Sequence, residues 1–244
     1  MRRFLLACFV VTVANLNFLI AADKPKAAGK FTEEAGVEIA KTEKLLNLDK
    51  DFTIEILAKW QPSTVYLATD EVWPGMSDRL KVTETAGWAL RTKFERDKET
   101  LDFTVATQEK QWISLKAEIP LKRPEWNHIA VGRKKDTLVL FFNGVTVAQS
   151  PLGGLTLVES PTPMYLGVRA HSFGNRRMNG YIAKFAVAQT FRFPQGPKPG
   201  LVFKNDKNTL LSLSLDGQVG GVINDSTGNG HVGVLRDAEI VPVE

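Results

Sequence analysis

The sequence predicts an all-β chain built as two antiparallel sheets packed into a sandwich. Three observations carry this expectation. Short runs that alternate apolar and polar residues recur at roughly ten-residue spacing. An Asn143-Gly144 pair sits between two β-branched and aromatic runs, the signature of a tight hairpin. No long stretch places apolar residues at the i, i+3, i+4, i+7 spacing of an amphipathic helix, and only Thr42 to Leu48 has room for a helical turn or two. Many short strands without helices bury their apolar faces as a sandwich or a closed barrel. A repeat of about 20–50 residues, which would indicate a solenoid or propeller, is not found.

Taken in order, the chain opens with a secretory signal. Arg2 and Arg3 precede a mostly apolar run from Phe4 to Ile20, and Ala21-Ala22 supplies the small residues a signal peptidase needs. Asn15 and Asn17 interrupt the run, and a spanning helix wants roughly 20 clean apolar residues. The expectation is cleavage after residue 22, with no membrane span afterwards. Residues 23–33 read as a flexible lead-in and 34–244 as one domain.

The first strand signal is Phe52 to Trp60, with Phe52, Ile54, Ile56, Ala58 and Trp60 on one face. Gly87 to Phe94 and Leu101 to Thr107 follow, joined by the charged turn Glu95 to Thr100. Then come Trp112 to Ala117, Trp126 to Val131, and the two arms of the hairpin, Thr137 to Phe142 and Val145 to Ala148. Met164 to Val168 and Tyr181 to Val187 flank a polar loop, Arg169 to Gly180. A Pro/Gly segment, Pro194 to Gly200, leads to Thr209 to Leu215, a Gly/Asn-rich loop, and a last strand from Glu239 to Val243.

Composition narrows the function. Cys8 is the only cysteine and lies in the signal, so disulfides, thiolate metal sites and cysteine catalysis are excluded from the mature chain. The formal charge falls from +4 to +2 once Arg2 and Arg3 are removed. That is too small a charge to point to nucleic acid. The expected location is secreted, periplasmic or at the cell surface.

From Trp126 onward the residues resemble a known family. Trp126-Asn127-His128-Ile129-Ala130-Val131-Gly132-Arg133 and the hairpin through Ala148 are similar to the laminin G-like signature. Met164-Tyr165-Leu166-Gly167, Met178 to Val187, and Leu46 to Trp60 match further segments of it. Ala183 and Lys184 stand where that family usually has acidic residues. Near the C-terminus, Leu210 to Asp216 and Asn224 to Gly233 resemble a segment that ordinarily opens the domain. The resemblance implies a concanavalin A-like jelly roll. Its displaced segment is expected either to close the sandwich with C-terminal strands, as in a circular permutation, or to be the stub of a second repeat; a stub of about 35 residues could not bury its own face, which favours closure.

The superfamily includes lectins, adhesion modules and glycoside hydrolases, and fold does not choose among them. Hydrolases of this fold carry a Glu-x-Asp-x-(x)-Glu strand, and this chain has none. Glu55, Glu99, Asp102 and Glu239 read as solvated carboxylates, and no catalytic residue is assigned. His128 sits at a packing position, while His171 and His231 are scattered. The reading leans away from an enzyme and toward a non-catalytic binding module for a glycan or an extracellular protein. The alternative is a degenerate or atypical glycoside hydrolase of the superfamily.

Candidate binding residues are the loop aromatics Trp73 and Phe173, which can stack on a pyranose ring, and Arg176, which can pair with a carboxylate or sulfate. No cofactor is assigned, but the resemblance implies a structural calcium. Asp216, Asn224, Asp225 and Asn229 offer the oxygens that such a cation takes. The same residues equally make Asx turns. Trp60, Trp88, Trp112 and Trp126 lie in strands and read as core.

Overall fold

A computed structural model describes residues 25–32, 35–43, 45–71, 85–120, 125–169, 178–194, 196, 203–215 and 221–243. They form sixteen strands and no helix: β1 (Ala27–Phe31), β2 (Gly36–Ala40), β3 (Phe52–Trp60), β4 (Val65–Thr69), β5 (Trp88–Glu95), β6 (Lys98–Ala106), β7 (Trp112–Ile119), β8 (Asn127–Lys134), β9 (Thr137–Phe142), β10 (Val145–Pro151), β11 (Met164–Leu166), β12 (Gly180–Ala188), β13 (Thr209–Ser214), β14 (Val222–Asn224), β15 (Val232–Arg236) and β16 (Glu239–Pro242).

The strands make two antiparallel sheets of eight. The first runs β10-β9-β8-β3-β12-β1-β16, with β13 sharing one edge of β12 with β1. The second runs β14-β15-β2-β11-β4-β5-β6-β7. Phe52, Ile54, Ile56, Ala58 and Trp60 of β3 face inward and meet Leu101, Phe103 and Val105 of β6 in one continuous core. The two-residue period along each strand produces this arrangement. Trp88 belongs to the same core, whereas Trp112 and Trp126, read as core in the sequence, are half-buried and lie outside it.

Two hairpins show how local chemistry sets register. Asn143 and Gly144 have φ of 48° and 84°, so the β9–β10 turn takes the expected primed form. The β5–β6 turn does the same with Arg96 and Asp97, at 52° and 60°. It is shorter than the expected Glu95-to-Thr100 turn, because Glu95 already pairs with Lys98.

The N-terminal segment read as a lead-in contributes β1. Its AAGKF sequence carries no strong alternation, but its neighbours do: Gly29 pairs with Ile182 on one side and Ile240 on the other. The C-terminal residues close the sandwich, as expected. β16 pairs with β1, β13 with β12, and β15 with β2, so both sheets are completed from the same stretch of chain.

A knot of hydrogen bonds ties the end of β4 to the start of β5. The Trp88 amide donates to Asp70 Oδ1 at 2.8 Å, and the Asp70 amide donates to the Trp88 carbonyl at 3.1 Å. Ser160 Oγ and Thr162 Oγ1 donate to the Asp70 carbonyl at 2.5 and 3.1 Å. Gly87 closes the knot at φ +80°. A Cβ there would lie 2.5 Å from Asp70 Oδ1, so only glycine fits. Burial pushes the Asp70 carboxyl from 3.8 up to about 8. Hydrogen bonding from Trp88 opposes that rise, and the adjoining Glu71 charge adds to it.

Two outcomes follow. Leu211, Leu213, Leu215 and Ile223 are fully buried. At about 1.5–3 kcal/mol each, their loss rivals a whole domain's stability of about 5–15 kcal/mol. A chain ending at Thr209 is therefore expected to show no cooperative thermal unfolding; a sharp transition in the truncated protein would contradict the closure. For Asp70, the folded pKa lies above the unfolded one, so stability is full below pH 3.8 and falls as pH rises toward 8. The slope reaches about 1.4 kcal/mol per pH unit. Asp70→Asn keeps the acceptor for Trp88 and removes the titration. Its unfolding midpoint, followed from pH 4 to 8, is expected to decline less steeply than that of the natural protein, and parallel profiles would count against this reading of Asp70.

Candidate functional site

Strand register assembles a polar row across the outer face of the second sheet. Tyr66 of β4 stands opposite Arg91 of β5, Arg91 opposite Asp102 of β6, and Asp102 opposite Lys116 of β7. A bulge between Tyr66 and Ala68 sets this phase on β4. Arg91 donates through Nε and Nη2 to Asp102 Oδ2 at 3.2 and 3.1 Å, and through Nη1 to the Tyr66 hydroxyl at 3.3 Å. Lys93 Nζ reaches the same Asp102 oxygen at 3.1 Å. Beyond Tyr66, Arg169 approaches Glu71 at 3.8 Å.

The guanidinium groups of Arg91 and Arg169 lie over the Tyr66 ring, 5.8 and 6.0 Å from its centroid. Burial raises the Tyr66 hydroxyl above its ordinary value, and the Glu71 carboxylate adds to the rise. The Arg91 guanidinium is held above its usual value: burial, the largest single influence, would lower it, but Asp102, Tyr66 and Glu71 together outweigh that. These residues form one chain of charge, Arg169–Glu71–Tyr66–Arg91–Asp102–Lys93.

Asp102 is wholly buried, and Glu71 nearly so. Among the described residues, Asp102 Oδ1 and Thr104 Oγ1 have no hydrogen-bond partner. Both belong to β6, two residues apart, and so point from one face. An unmade bond on a buried polar atom is costly, and Trp88 Nε1, Trp126 Nε1 and His128 Nδ1 share that condition elsewhere among the described residues.

Two chain segments leave from the rim of this face. Residues 72–84 follow Glu71, and residues 170–177 follow Arg169. Their described ends are neighbours: β4 and β11 pair through Thr69 with Tyr165 and Ala68 with Leu166, and the Gly167 amide donates to the Leu67 carbonyl at 3.0 Å. Trp73, Phe173 and Arg176 belong to these segments and lie outside the described residues.

The expected cation site sits on a different part of the sheet. Asp225 Oδ1 accepts from the amides of Ser212 at 2.9 Å and Thr227 at 3.0 Å, and Thr227 Oγ1 donates to Asp225 Oδ2. Asn229 donates from its side chain to the Leu210 carbonyl at 2.9 Å. Asp225 thus ties β13 to the turn after β14. Asn224 is exposed, and Asp216 lies outside the described residues. Among the described residues, no group of three or more His, Cys, Asp or Glu side chains could hold a metal ion.

The first sheet treats its outer face differently. Glu55 of β3 points outward but is 1% exposed. It receives Arg192 Nη1 at 3.3 Å and the Phe203 amide at 2.8 Å, and faces His128 Nε2 at 3.3 Å. Arg192 also donates to Asp206 at 3.3 Å and Thr209 at 2.6 Å. Phe193 packs on Ala130, Val139 and Phe141, and Phe191 lies against the same cluster. Glu55, Glu99 and Asp102 are therefore buried, not solvated as the sequence suggested. Glu99 accepts from Trp60 Nε1 at 2.7 Å. Their partners come from distant parts of the chain or from the next strand, which alternation alone does not reveal.

Comparison with known proteins agrees with this architecture. No curated protein matches the chain. A structure from Bacteroides ovatus, described as a proposed carbohydrate binding protein, superposes with a TM-score of 0.65 at 19% identity, covering 91% of this chain and 61% of that one. The enzymatically active domain of bacteriophage CBA120 tailspike protein 2 matches with a TM-score of 0.50 at 12% identity, over 86% of this chain and 35% of that one. This chain thus spans about three fifths of the Bacteroides protein, and likeness at these identities reports the fold. A family model matches residues 31–195, two thirds of the sequence and most of both sheets. The chain belongs to the concanavalin A-like lectin/glucanases superfamily.

Proposed function

We propose that this protein is an exported binding module for carbohydrate, and that its ligand is held at the outer face of the second sheet beside β4 and β11. The observation that carries the reading is the adjacency of Glu71 and Arg169, from which the segments bearing Trp73, Phe173 and Arg176 depart. Stacking on Trp73 and Phe173 would hold a pyranose ring. Arg176 would give a bidentate contact to a carboxylate or sulfate, or hydrogen bonds to hydroxyls. Tyr66, Arg91 and Asp102 would support that surface from below and keep it rigid. The similarity to a structure described as a proposed carbohydrate binding protein supports the ligand class. The signal-like residues 1–22 support export, and a calcium ion at Asp216, Asp225 and Asn229 would be structural.

The test is a glycan array probed with untagged mature protein, with and without chelator. The expected result is binding to a defined glycan set that Trp73→Ala and Phe173→Ala each weaken about ten-fold or more, on the scale of one lost stacking contact. Arg91→Ala is expected to weaken binding and also lower Tm, since it leaves the buried Asp102 with Lys93 as its one cation. Retained binding in both aromatic variants would move the site elsewhere, and no binding to any glycan would shift the ligand to a protein. N-terminal sequencing of exported protein is expected to start at Asp23.

A further inference from the structure

Away from the segment that Arg192 pins down, the outer face of the first sheet carries a half-exposed aromatic and basic patch. The register lines up Glu239 of β16, Lys30 of β1, Tyr181 of β12 and Lys59 of β3 in one row. Trp126, just before β8, lies against Tyr181 with ring centroids 6.5 Å apart and planes tilted by 56°. Lys59 Nζ lies 5.6 Å from the Tyr181 centroid, and Lys184 Nζ lies 6.0 Å from the centroid of Phe203. Tyr181, Trp126, Phe203, Lys59 and Lys184 are all partly exposed.

The charges here are not balanced. Glu239 answers Lys30 at 3.2 Å. Among the described residues, neither Lys59 nor Lys184 has a carboxylate within ion-pair reach, and each ammonium group is parked over an aromatic ring instead. This contrasts with the second sheet, where Arg91, Lys93 and Arg169 each meet a buried carboxylate. An ammonium group on a ring is weakly held at a partly solvated site. It can swing to an incoming anion and exchange that contact for a charge-assisted hydrogen bond. Tyr181 and Trp126 meanwhile offer partly exposed aromatic rings, the kind of surface a sugar ring packs against.

We propose that Tyr181, Trp126, Lys59 and Lys184 form a second binding site, for an anionic pyranose residue bearing a carboxylate or a sulfate. It lies on the opposite sheet from the surface beside β4 and β11. The apolar face of the sugar packs on the Tyr181–Trp126 pair, and its anionic group takes the two lysines. The Tyr181 hydroxyl is not required for the stacking. A module with sites on opposite faces can engage two chains of a matrix, or two stretches of one chain.

The experiment is calorimetric titration of the full mature protein with three pyranose oligomers of matched length: a polygalacturonate fragment, a sulfated fragment and a neutral glucan fragment. The expected result is binding of an anionic oligomer in preference to the neutral one, weakening as salt is raised. The double variant Lys59→Gln/Lys184→Gln is expected to weaken it about ten-fold or more. Tyr181→Ala should weaken it similarly, while Tyr181→Phe keeps it. Lys50→Gln/Lys110→Gln, at two exposed lysines elsewhere, should leave it unchanged, and so should Trp73→Ala. Preference for polygalacturonate or for the sulfated fragment identifies which anion the site takes. The proposal is overturned if neither anionic oligomer binds, if the neutral one binds equally, or if the Lys50/Lys110 pair matters as much. Unchanged binding in Lys59→Gln/Lys184→Gln, with Tm retained, overturns it as well.

Discussion

A carboxylate buried in the middle of a strand governs how the first sheet is finished. Glu55 has almost no contact with water, and an ion in that position costs several kcal/mol unless it is paired and hydrogen-bonded. β3 cannot satisfy it alone. Arg192 and the Phe203 amide can, and both come from the chain that follows β12. Its described residues on either side of Glu55 lie on the outer face of the sheet, where Phe193 is buried and Phe191 and Phe203 are partly so. Arg192 also meets Asp206 and Thr209, which positions the start of β13. The C-terminal strands thus begin from a fixed point, and closure of both sheets depends on it.

Covering one part of a face determines what the rest can do. Over β3, β8 and β9 the outer face of the first sheet is occupied by the protein's own aromatic residues. Its exposed parts include the region of β12, β1, β16 and the end of β3, where Tyr181 and the lysines stand. On the second sheet a similar charged row runs from Tyr66 to Lys116 across neighbouring strands, and two buried oxygens on β6 remain without described partners. The same principle, a charge removed from water and answered across strands, orders both surfaces.

The sequence carried the fold well where local chemistry dominates. Phe52 to Trp60 announced its inward face, and Asn143-Gly144 announced its turn. That the C-terminal strands close the sandwich was readable from their likeness to an opening segment. It failed where partners are remote. Arg192 lies 137 residues from Glu55, so no window of sequence joins them, and Glu55 looked solvated. β1 was missed because Ala27–Phe31 takes its identity from β12 and β16. Trp126 looked like core because a tryptophan beside a strand usually is; its outward direction depends on register. Trp73, Phe173 and Arg176, the binding residues expected from the sequence, lie outside the described residues. The row of Tyr66, Arg91 and Asp102 was not legible, because only pairing of β4, β5 and β6 brings those positions together.

The claim that Glu55 fastens the segment after β12 is tested most directly by a double-mutant cycle between Glu55→Gln and Arg192→Met, read by denaturant unfolding. Arg192→Met is expected to cost about 3–5 kcal/mol, because it leaves the buried Glu55 carboxylate without its cation, and Glu55→Gln to cost less, because Arg192 keeps Asp206 and Thr209. The double variant is expected to cost less than the two together by at least about 1.5 kcal/mol. Additive costs would contradict the account, since they would mean that the segment is held by its aromatic residues and that the ion pair contributes nothing of its own.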